Sequence, residues 1–426
     1  MMNKSTKILL NSTKTTLRTI ADSVYIILFI TLTVYGFLNT VQLNVDWEKL
    51  LIASEGLQRF FLEILLSPNN VLMAVVLIQY LCSQKYNWKE YIFAFCIWRL
   101  SSPVQTTEEG AVLFSHILLI LGARHFSFRY LMKIYFAIVA SLTALVVLAS
   151  QIGVIENLVF EMREGRMAYG FVYATDCAAH FLFLALIYWY IRGQKIHYVE
   201  TALFGILAAV AGFGCKARFS TALLVILIVV VVVYLFVEKR LGRERWNQMM
   251  SGKISEFLVL FPLLANLVIH IVSFVYTDRW KWLSMFDSLV SGRLSLAKKG
   301  LDIYGLDLWG NRIRMIGNGG RTQTAAGYFY IDSSYLQISM LHGVVLLGVF
   351  LFLLFLVCLN ARRRKEWIVL TICGFVVIHG LFEHHAFELA YNPFLLMAFA
   401  EAGQMESKQI SFVKKMLTCK AEKRRS

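Results

Sequence analysis

Arginines stand between the apolar runs of this chain, where side chains from separate loops could meet. The planar guanidinium group holds phosphate oxygens through two parallel hydrogen bonds, and it never loses its charge. Arginines on different loops could therefore converge on an anionic group at a membrane surface. Each of them could instead be a solvated loop charge or an anchor for a lipid headgroup. The candidates are Arg163, Arg166, Arg218, Arg279, Arg293, Arg312, Arg314 and Arg321.

Three ionisable residues stand within or beside apolar runs, where a charge is costly without a partner. Lys216 and Arg218 are wedged between two such runs, and Asp176 lies inside a third run. His180 follows Asp176 by four residues, so the two side chains share one helical face. Asp176 is a functional candidate by default, and a structural salt bridge with Arg218 is the alternative interpretation.

Two other polar motifs adjoin apolar runs. The first is the segment 328–337, which leads into an apolar run. The second lies between two apolar runs and contains Glu383, His384, His385, Glu388 and Asn392. Adjacent histidines point in different directions on a helix, so we expect no shared metal ion. An acid–base role or a plain polar contact is favoured instead.

The elements that must position these residues are membrane helices. The chain has 426 residues, of which 58% are hydrophobic and only 16% charged, whereas soluble domains carry about a quarter charged residues. The apolar runs are continuous and do not alternate, which excludes an outer-membrane barrel. We predict an all-α, polytopic bundle of about twelve transmembrane helices, near 23–41, 65–82, 89–102, 110–123, 134–152, 170–191, 198–214, 219–237, 256–277, 335–358, 367–383 and 389–402.

Lys and Arg residues indicate the orientation of this bundle. Most of them fall on one side of the predicted spans, which the positive-inside rule assigns to the cytoplasm together with both termini. The rule also explains the net charge of +15 without any nucleic acid. The predicted divisions are a cytoplasmic N-terminus (1–22), helices 1 to 9 (23–277), a large extracytoplasmic loop (278–334), helices 10 to 12 (335–402) and a basic cytoplasmic tail (403–426).

The segment 278–334 is the one large piece predicted to lie outside the membrane. Its second half is rich in glycine and is predicted to be irregular. Its first half is predicted to form one amphipathic helix along the outer surface, because apolar residues recur at nearly helical spacing. These residues are Trp282, Phe286, Leu289, Val290, Ala297 and Leu301.

Four short fragments around this loop resemble a known family when they are taken in order. They are Arg166 with Gly170-Phe171; Lys216-Ala217-Arg218-Phe219-Ser220; Ser291-Gly292-Arg293-Leu294 followed by Gly305-Leu306 and Leu308-Trp309-Gly310; and Asp332-Ser333-Ser334-Tyr335-Leu336 with Gly343. Together they are similar to the Wzy-type polysaccharide polymerases of bacterial capsule and O-antigen assembly, within the O-antigen ligase and polymerase superfamily.

The chain also departs from the family pattern in places. Ala217 replaces a usual Ser, and Ala174 and Asp176 stand where Pro and Asn often follow Gly-Phe. The related ligases usually have a His at the position of Asp332, which favours a polymerase.

The resemblance implies a GT-C-like bundle and a glycosyl transfer between lipid-linked sugars. A hydroxyl of one undecaprenyl-pyrophosphate-linked repeat unit attacks the anomeric carbon of the growing glycan chain, and undecaprenyl pyrophosphate leaves. Cationic side chains are needed to stabilise the departing pyrophosphate. We assign substrate or pyrophosphate binding to Arg166, Arg218, Arg293, Arg312, Arg314, Arg321, Lys216, Asp176 and Tyr335. The base is expected to be a carboxylate or His, and the candidates in order are Asp332, Glu383 and His384.

No cofactor and no metal are expected, because no Asp-x-Asp motif stands on an outer loop. The expected partners are the lipid-linked repeat unit, the growing glycan and membrane lipids, and a chain-length regulator stays open. A ligase would share the fold and the arginines. A lipid-linked oligosaccharide flippase would also have about twelve spans, but it has little use for a large outer loop.

Overall fold

The computed structural model describes residues 4–43, 68–82, 88–106, 108–161, 165–318, 320–321 and 325–401. Arg163 and the basic tail predicted at 403–426 lie outside these residues. The described part is a bundle of helices with one two-stranded hairpin. The helices are α1 (Lys4–Leu38), α2 (Pro68–Cys82), α3 (Trp88–Ser101), α4 (Glu108–Gly122), α5 (Phe128–Gln151), α6 (Ala174–Arg192), α7 (Tyr198–Ala209), α8 (Arg218–Leu241), α9 (Arg243–Ser251), α10 (Lys253–Val275), α11 (Lys281–Leu289), α12 (Arg293–Tyr304), α13 (Ser334–Gln337), α14 (Val344–Arg363) and α15 (Trp367–Phe382).

Six helices in the described part are long and apolar enough to cross a membrane. Four shorter apolar helices accompany them, at Asn69–Cys82, Gly110–His125, Tyr198–Gly214 and Trp367–Phe382. The six long segments are Ser12–Leu38, Phe128–Gln151, Ala174–Lys195, Arg218–Arg240, Lys253–Val275 and Val344–Arg363.

Helix α6 lies at the centre of the bundle. In its most apolar stretch, 78% of the residues are buried, against 28% for α10, so α6 packs against protein while α10 leaves a broad apolar face exposed. The neighbours of α6 include α5, α8 and α15. The N-terminal end of α6 is fixed to the end of α1, because Val172 N donates to the Thr40 carbonyl at 2.9 Å and Gln42 N donates to the Gly170 carbonyl at 2.8 Å.

The predicted twelfth span, 389–402, is not a helix in the described residues. A short 3-10 turn at Phe394–Ala398 is the helical structure there. The physical reason lies in Asn392 and Pro393. Proline disfavours helical geometry at the residue before it, and the Asn392 side chain accepts a hydrogen bond from Phe394 N at 3.0 Å. The segment folds back into the bundle, where Tyr391 and Asn392 are fully buried.

The predicted tenth span, 335–358, is divided at Gly343. Helix α13 and a π-helical turn at Ile338–His342 precede the break, and Gly343 has φ +98° and ψ 156°, a conformation essentially restricted to glycine. The glycine-rich part of the loop packs against the break. Val344 N donates to the Asp307 carbonyl at 3.0 Å, and Asn311 N donates to the Met340 carbonyl at 2.8 Å.

The single amphipathic helix predicted for the loop is two helices, α11 and α12. Ser291 and Gly292 separate them with φ values of +63° and +77°. In α11, Leu283 and Asp287 are buried, whereas Trp282 and Leu289 are 61% and 64% exposed. In α12, the predicted apolar residues Ala297 and Leu301 are buried. The periodicity therefore predicted helical structure but not the break between the two helices.

We expect Gly343→Ala to destabilise the fold by about 1–3 kcal/mol because of its backbone conformation alone. The added methyl would also lie 2.7 Å from Gly310 N, which is backbone and cannot rotate away. Thermal melting of the purified protein in detergent measures the loss. Gly348→Ala is the matched control, since the methyl that alanine would add at this helical glycine has nothing within 4 Å of it and alanine favours helix. Equal melting points for both variants would contradict the proposed docking of the loop.

Candidate active site

Side chains from four parts of the chain meet beside the N-terminal end of α6. Asp176 lies in the first turn of α6, and Arg293 begins α12. Asp332 precedes α13, and Glu383 follows α15. The loop helix, the approach to α13 and the end of α15 therefore contribute to one polar cluster.

Arg293 is the cation at the centre of this cluster. Its Nη1 lies 3.0 Å from Glu383 Oε1 and its Nε lies 3.5 Å from Asp332 Oδ2. The Nη1 group also donates a hydrogen bond to the Phe382 carbonyl. The Arg293 side chain is 16% exposed and that of Glu383 is 4% exposed. This loop arginine is thus an ion-paired residue of the interior and not a solvated charge.

Burial and the ion pair act in opposite directions on these groups. Burial lowers the pKa of Arg293, but the carboxylates of Glu383 and Asp332 outweigh it, so the pKa is raised and the guanidinium stays charged. Burial raises the pKa of Glu383, and the charges of Arg293 and Arg166 reverse only part of that shift. Arg166 therefore acts on this cluster from the hairpin that precedes α6.

Asp287 fixes the position of Arg293. Its Oδ1 accepts hydrogen bonds from Leu294 N at 2.7 Å and Ser295 N at 3.3 Å, which caps the N-terminus of α12 in place of the side chain that Gly292 lacks. Its Oδ2 accepts a hydrogen bond from the Tyr276 hydroxyl at 3.1 Å. Because Tyr276 directly follows α10, the start of α12 is tied to a long apolar helix.

Serine hydroxyls join the two segments that carry the acids. Ser334 Oγ donates to the Glu383 carbonyl at 2.6 Å and accepts from Ala386 N at 3.1 Å. Ser333 Oγ donates to the Gly380 carbonyl at 3.3 Å. These bonds fix Asp332 and Glu383 relative to each other, and both serines are buried.

Asp176 pairs with a histidine and not with Arg218. His385 Nε2 lies 3.3 Å from Asp176 Oδ1, and the two side chains are 0% and 6% exposed. The interpretation of Asp176 as the partner of Arg218 is therefore wrong. His180, on the same face of α6, accepts or donates a hydrogen bond with Thr40 Oγ1 at 3.1 Å and stacks on Tyr391 at a centroid distance of 4.4 Å.

The two adjacent histidines do not diverge, contrary to the expectation for neighbours on a helix. Helix α15 ends at Phe382, and the next residues form a 3-10 turn, His384–Phe387. The rings of His384 and His385 lie 4.1 Å apart, and both offer a nitrogen to the neighbourhood of Asp176. Burial lowers the pKa of His384 to about 3, so its imidazole is neutral and weakly basic at neutral pH.

Arg166 lies beside this cluster on the hairpin formed by β1 (Val159–Phe160) and β2 (Arg166–Met167). Its Nε donates to the Cys215 carbonyl at 2.8 Å. This bond joins the hairpin to the turn before α8, where half-buried Lys216 has φ +47°. The sequence-predicted residues Arg166 and Lys216 are thus neighbours along one edge of the site.

Other predicted binding residues lie apart from the cluster. Five predicted arginines other than Arg166 and Arg293 are exposed, and their guanidinium groups form no hydrogen bond or ion pair within the described ranges. Tyr335 is fully buried, and its hydroxyl donates to the Val377 carbonyl at 3.2 Å, so it packs inside the bundle. The exposed arginines are Arg218, Arg279, Arg312, Arg314 and Arg321.

Sequence reasoning missed two residues that shape the site. Asp287 is an acid on the buried face of α11, four residues after buried Leu283, and this spacing could have revealed it. Tyr391 packs its ring against His180 and His385, but only its place before Asn392 and Pro393 distinguishes it in the sequence. No family model, curated protein or solved structure matches the chain.

Arg293→Ala should destabilise the protein by about 3–5 kcal/mol, because it leaves a buried carboxylate without its partner. Thermal melting in detergent measures the effect. The exposed Arg314→Ala is the control and should melt like the parent protein. The double variant Arg293→Met with Glu383→Gln should recover much of the loss, since it removes the buried pair and leaves only Asp332, whose side chain is 18% exposed. If Arg293→Ala melted like Arg314→Ala, the ion pair would have no structural role.

Proposed function

We propose that the chain is a polysaccharide polymerase that joins undecaprenyl-pyrophosphate-linked oligosaccharide repeat units at the outer face of the cytoplasmic membrane. The fuller topology belongs to this proposal: both termini cytoplasmic, the loop 278–334 outside and a GT-C-like bundle. The apolar helices, the distribution of Lys and Arg and the four resembling fragments support it.

One observation carries the proposal. A guanidinium from the large loop stands between two carboxylates at the junction of loop and bundle, with Arg293 bridging Asp332 and Glu383. Its contacts to the carboxylates use Nε and Nη1, and the side chain is 16% exposed, so an anionic group can approach the guanidinium. A preorganised cation of this kind stabilises negative charge that develops on a leaving pyrophosphate. The fragments around Arg293 and Asp332 are those that resemble the polymerases.

Asp332 is the best placed general base. Both acids contact Arg293, but the Asp332 side chain is 18% exposed and 3.5 Å from the guanidinium, whereas that of Glu383 is 4% exposed and 3.0 Å from it, so an incoming sugar can reach Asp332 more readily. Burial lowers the pKa of His384 to about 3, which removes the advantage that an imidazole ordinarily has over a carboxylate as a base near neutral pH. The order of candidates from the sequence is therefore retained.

The proposed step balances as a single displacement. The acceptor hydroxyl oxygen forms a bond to the anomeric carbon of the donor glycan, and its proton passes to the Asp332 carboxylate. The bond from the anomeric carbon to the pyrophosphate oxygen breaks, and the electron pair leaves with undecaprenyl pyrophosphate. Arg293 stabilises the departing anion, and the exposed arginines of the loop attract the anionic lipid carriers.

A ligase that transfers finished glycan to another acceptor would use the same centre. Product analysis separates the two, since a polymerase yields a ladder of repeat units on the lipid carrier. A flippase is less favoured, because transport does not require a loop whose arginine is paired with two acids at the membrane boundary. Deleting the gene would then abolish all exported material, whereas loss of a polymerase leaves a single repeat unit on lipid.

Asp332→Asn should slow polymerisation of purified lipid-linked repeats by about 10²–10⁴-fold, as expected for loss of a general base. Arg293→Lys should slow it by about 10²–10³-fold, since one preorganised donor set is lost while the charge stays. Gel analysis of products from protein in detergent or vesicles gives the rates.

Asp302→Asn is the matched control, because Asp302 is an acid of the same loop with a side chain that is 58% exposed. It should retain the parental rate. Parental rates for Asp332→Asn and Arg293→Lys, with both proteins folded, would rule out the proposed centre.

A further inference from the structure

Behind the Arg293 ion pair, three side chains gather their ligand atoms in one place. Asp176, His384 and His385 each offer one ligand atom, and these atoms all lie within 4.8 Å of one another. Asp176 and His385 are buried and His384 is half-buried. We propose that this group binds a divalent first-row metal ion, with zinc as the best match.

The donor set selects the class of ion. Two imidazoles with one carboxylate suit zinc and its first-row neighbours, whereas calcium and magnesium prefer oxygen ligands. Catalytic zinc sites commonly use three protein ligands and keep the fourth position open. Asp176, His384 and His385 are thus the right ligands in type and number for an ion that also contacts a substrate.

The spacing of the ligand atoms fits a tetrahedral ion after small rotations. Zinc bonds to nitrogen and oxygen of about 2.0–2.1 Å place neighbouring ligands roughly 3.3 Å apart. His385 Nε2 already lies 3.3 Å from Asp176 Oδ1. The widest separation within the group is no more than 4.8 Å, so a rotation of the half-buried His384 ring would complete the arrangement.

An unpaired nitrogen of His384 gives a second indication. Its Nδ1 is buried and has no hydrogen-bond partner within the described part of the chain, although buried polar atoms in folded proteins almost always have one. An ion ligated by this nitrogen would supply the missing partner. His385 faces Asp176 through Nε2, so its own unpaired Nδ1 is not the atom that would ligate the ion.

The balance of charge in the cluster gives a third indication. Arg166, Arg293 and the neighbouring Lys216 supply three positive charges, and the four surrounding carboxylates outnumber them. A divalent cation would offset this excess of negative charge, which otherwise repels a pyrophosphate. The carboxylates are Asp176, Asp332, Glu383 and Glu388, the last with Oε1 3.7 Å from His384 Nε2.

The Tyr391 ring restricts the position of one ligand. It lies 4.1 Å from the ring of His385 and stacks on His180 at 4.4 Å. Packing of this kind helps to orient a ligand ring. Binding of the ion stands on these contacts alone. Its role rests on the proposed function, in which the open position takes a pyrophosphate oxygen beside Arg293.

The test measures the metal content of the full chain, purified in detergent from zinc-supplemented cells with a tag that contains no histidine. Inductively coupled plasma mass spectrometry should find about one zinc ion per chain. The variants Asp176→Asn and His385→Gln should each lose most of it. His342→Gln is the matched control, since His342 is also buried but lies outside the group, and it should keep the metal.

A second measurement covers the case in which a ligand variant does not fold. Replacing the bound ion by cobalt in the parental protein should give the visible absorption of a tetrahedral site with nitrogen and oxygen ligands. Parental protein that holds no metal and binds none on dialysis against micromolar zinc would overturn the proposal. Metal retained by folded Asp176→Asn and His385→Gln would do the same.

The same preparation separates this proposal from the proposed function. Metal-loaded protein that does not extend lipid-linked repeats would keep the site and refute the polymerase. Chelated, metal-free protein that extends them at the parental rate would keep the polymerase and refute a role for the ion.

Discussion

The buried charge of Arg293 is the constraint on which the rest of this site depends. Moving a guanidinium out of water is expensive, and its attraction to carboxylates offsets the cost only when the geometry is fixed by further contacts. Glu383 and Asp332 supply the carboxylates, and the Phe382 carbonyl takes another donor. The charge of Arg293 therefore attaches the loop to the end of α15.

Several other features follow from the need to hold that geometry. Asp287 caps α12 and fixes the residue from which the guanidinium extends. Ser334 joins the segment of Asp332 to that of Glu383. Gly343 allows the glycine-rich part of the loop to approach the start of α14 backbone to backbone. These three features belong to different segments of the chain, and together they fix the position of Arg293.

The sequence predicted the components of this arrangement better than their partners. Continuous apolar runs predict long helices because burial of apolar surface depends on composition. Arg293, Asp332 and Glu383 stood out individually by their type and place. Their pairing joins residues 89 positions apart in the contact of Arg293 with Phe382, and 209 positions separate Asp176 from His385. Periodicity contains no information on contacts at that range.

The errors have local physical causes of their own. One amphipathic helix was predicted across Ser291 and Gly292, where the backbone turns left-handed, because apolar spacing alone does not register a break. The twelfth span failed at Asn392 and Pro393, whose backbone preferences override an apolar composition. Conformation at single residues therefore limited the prediction of the fold, while long-range pairing limited the prediction of the site.

The charges of the described residues fall into two layers with different physical behaviour. The exposed arginines of the loop and α8 act through water, where salt screens them beyond about 10 Å, so they can attract an anion but hold it weakly. The inner layer is the polar cluster around Arg293, and salt screens it little. Its carboxylates (Asp176, Asp332, Glu383 and Glu388) outnumber its arginines (Arg166 and Arg293). An anion drawn in by the outer layer is therefore retained only if the inner layer gains positive charge or gives up an acid's contact with Arg293.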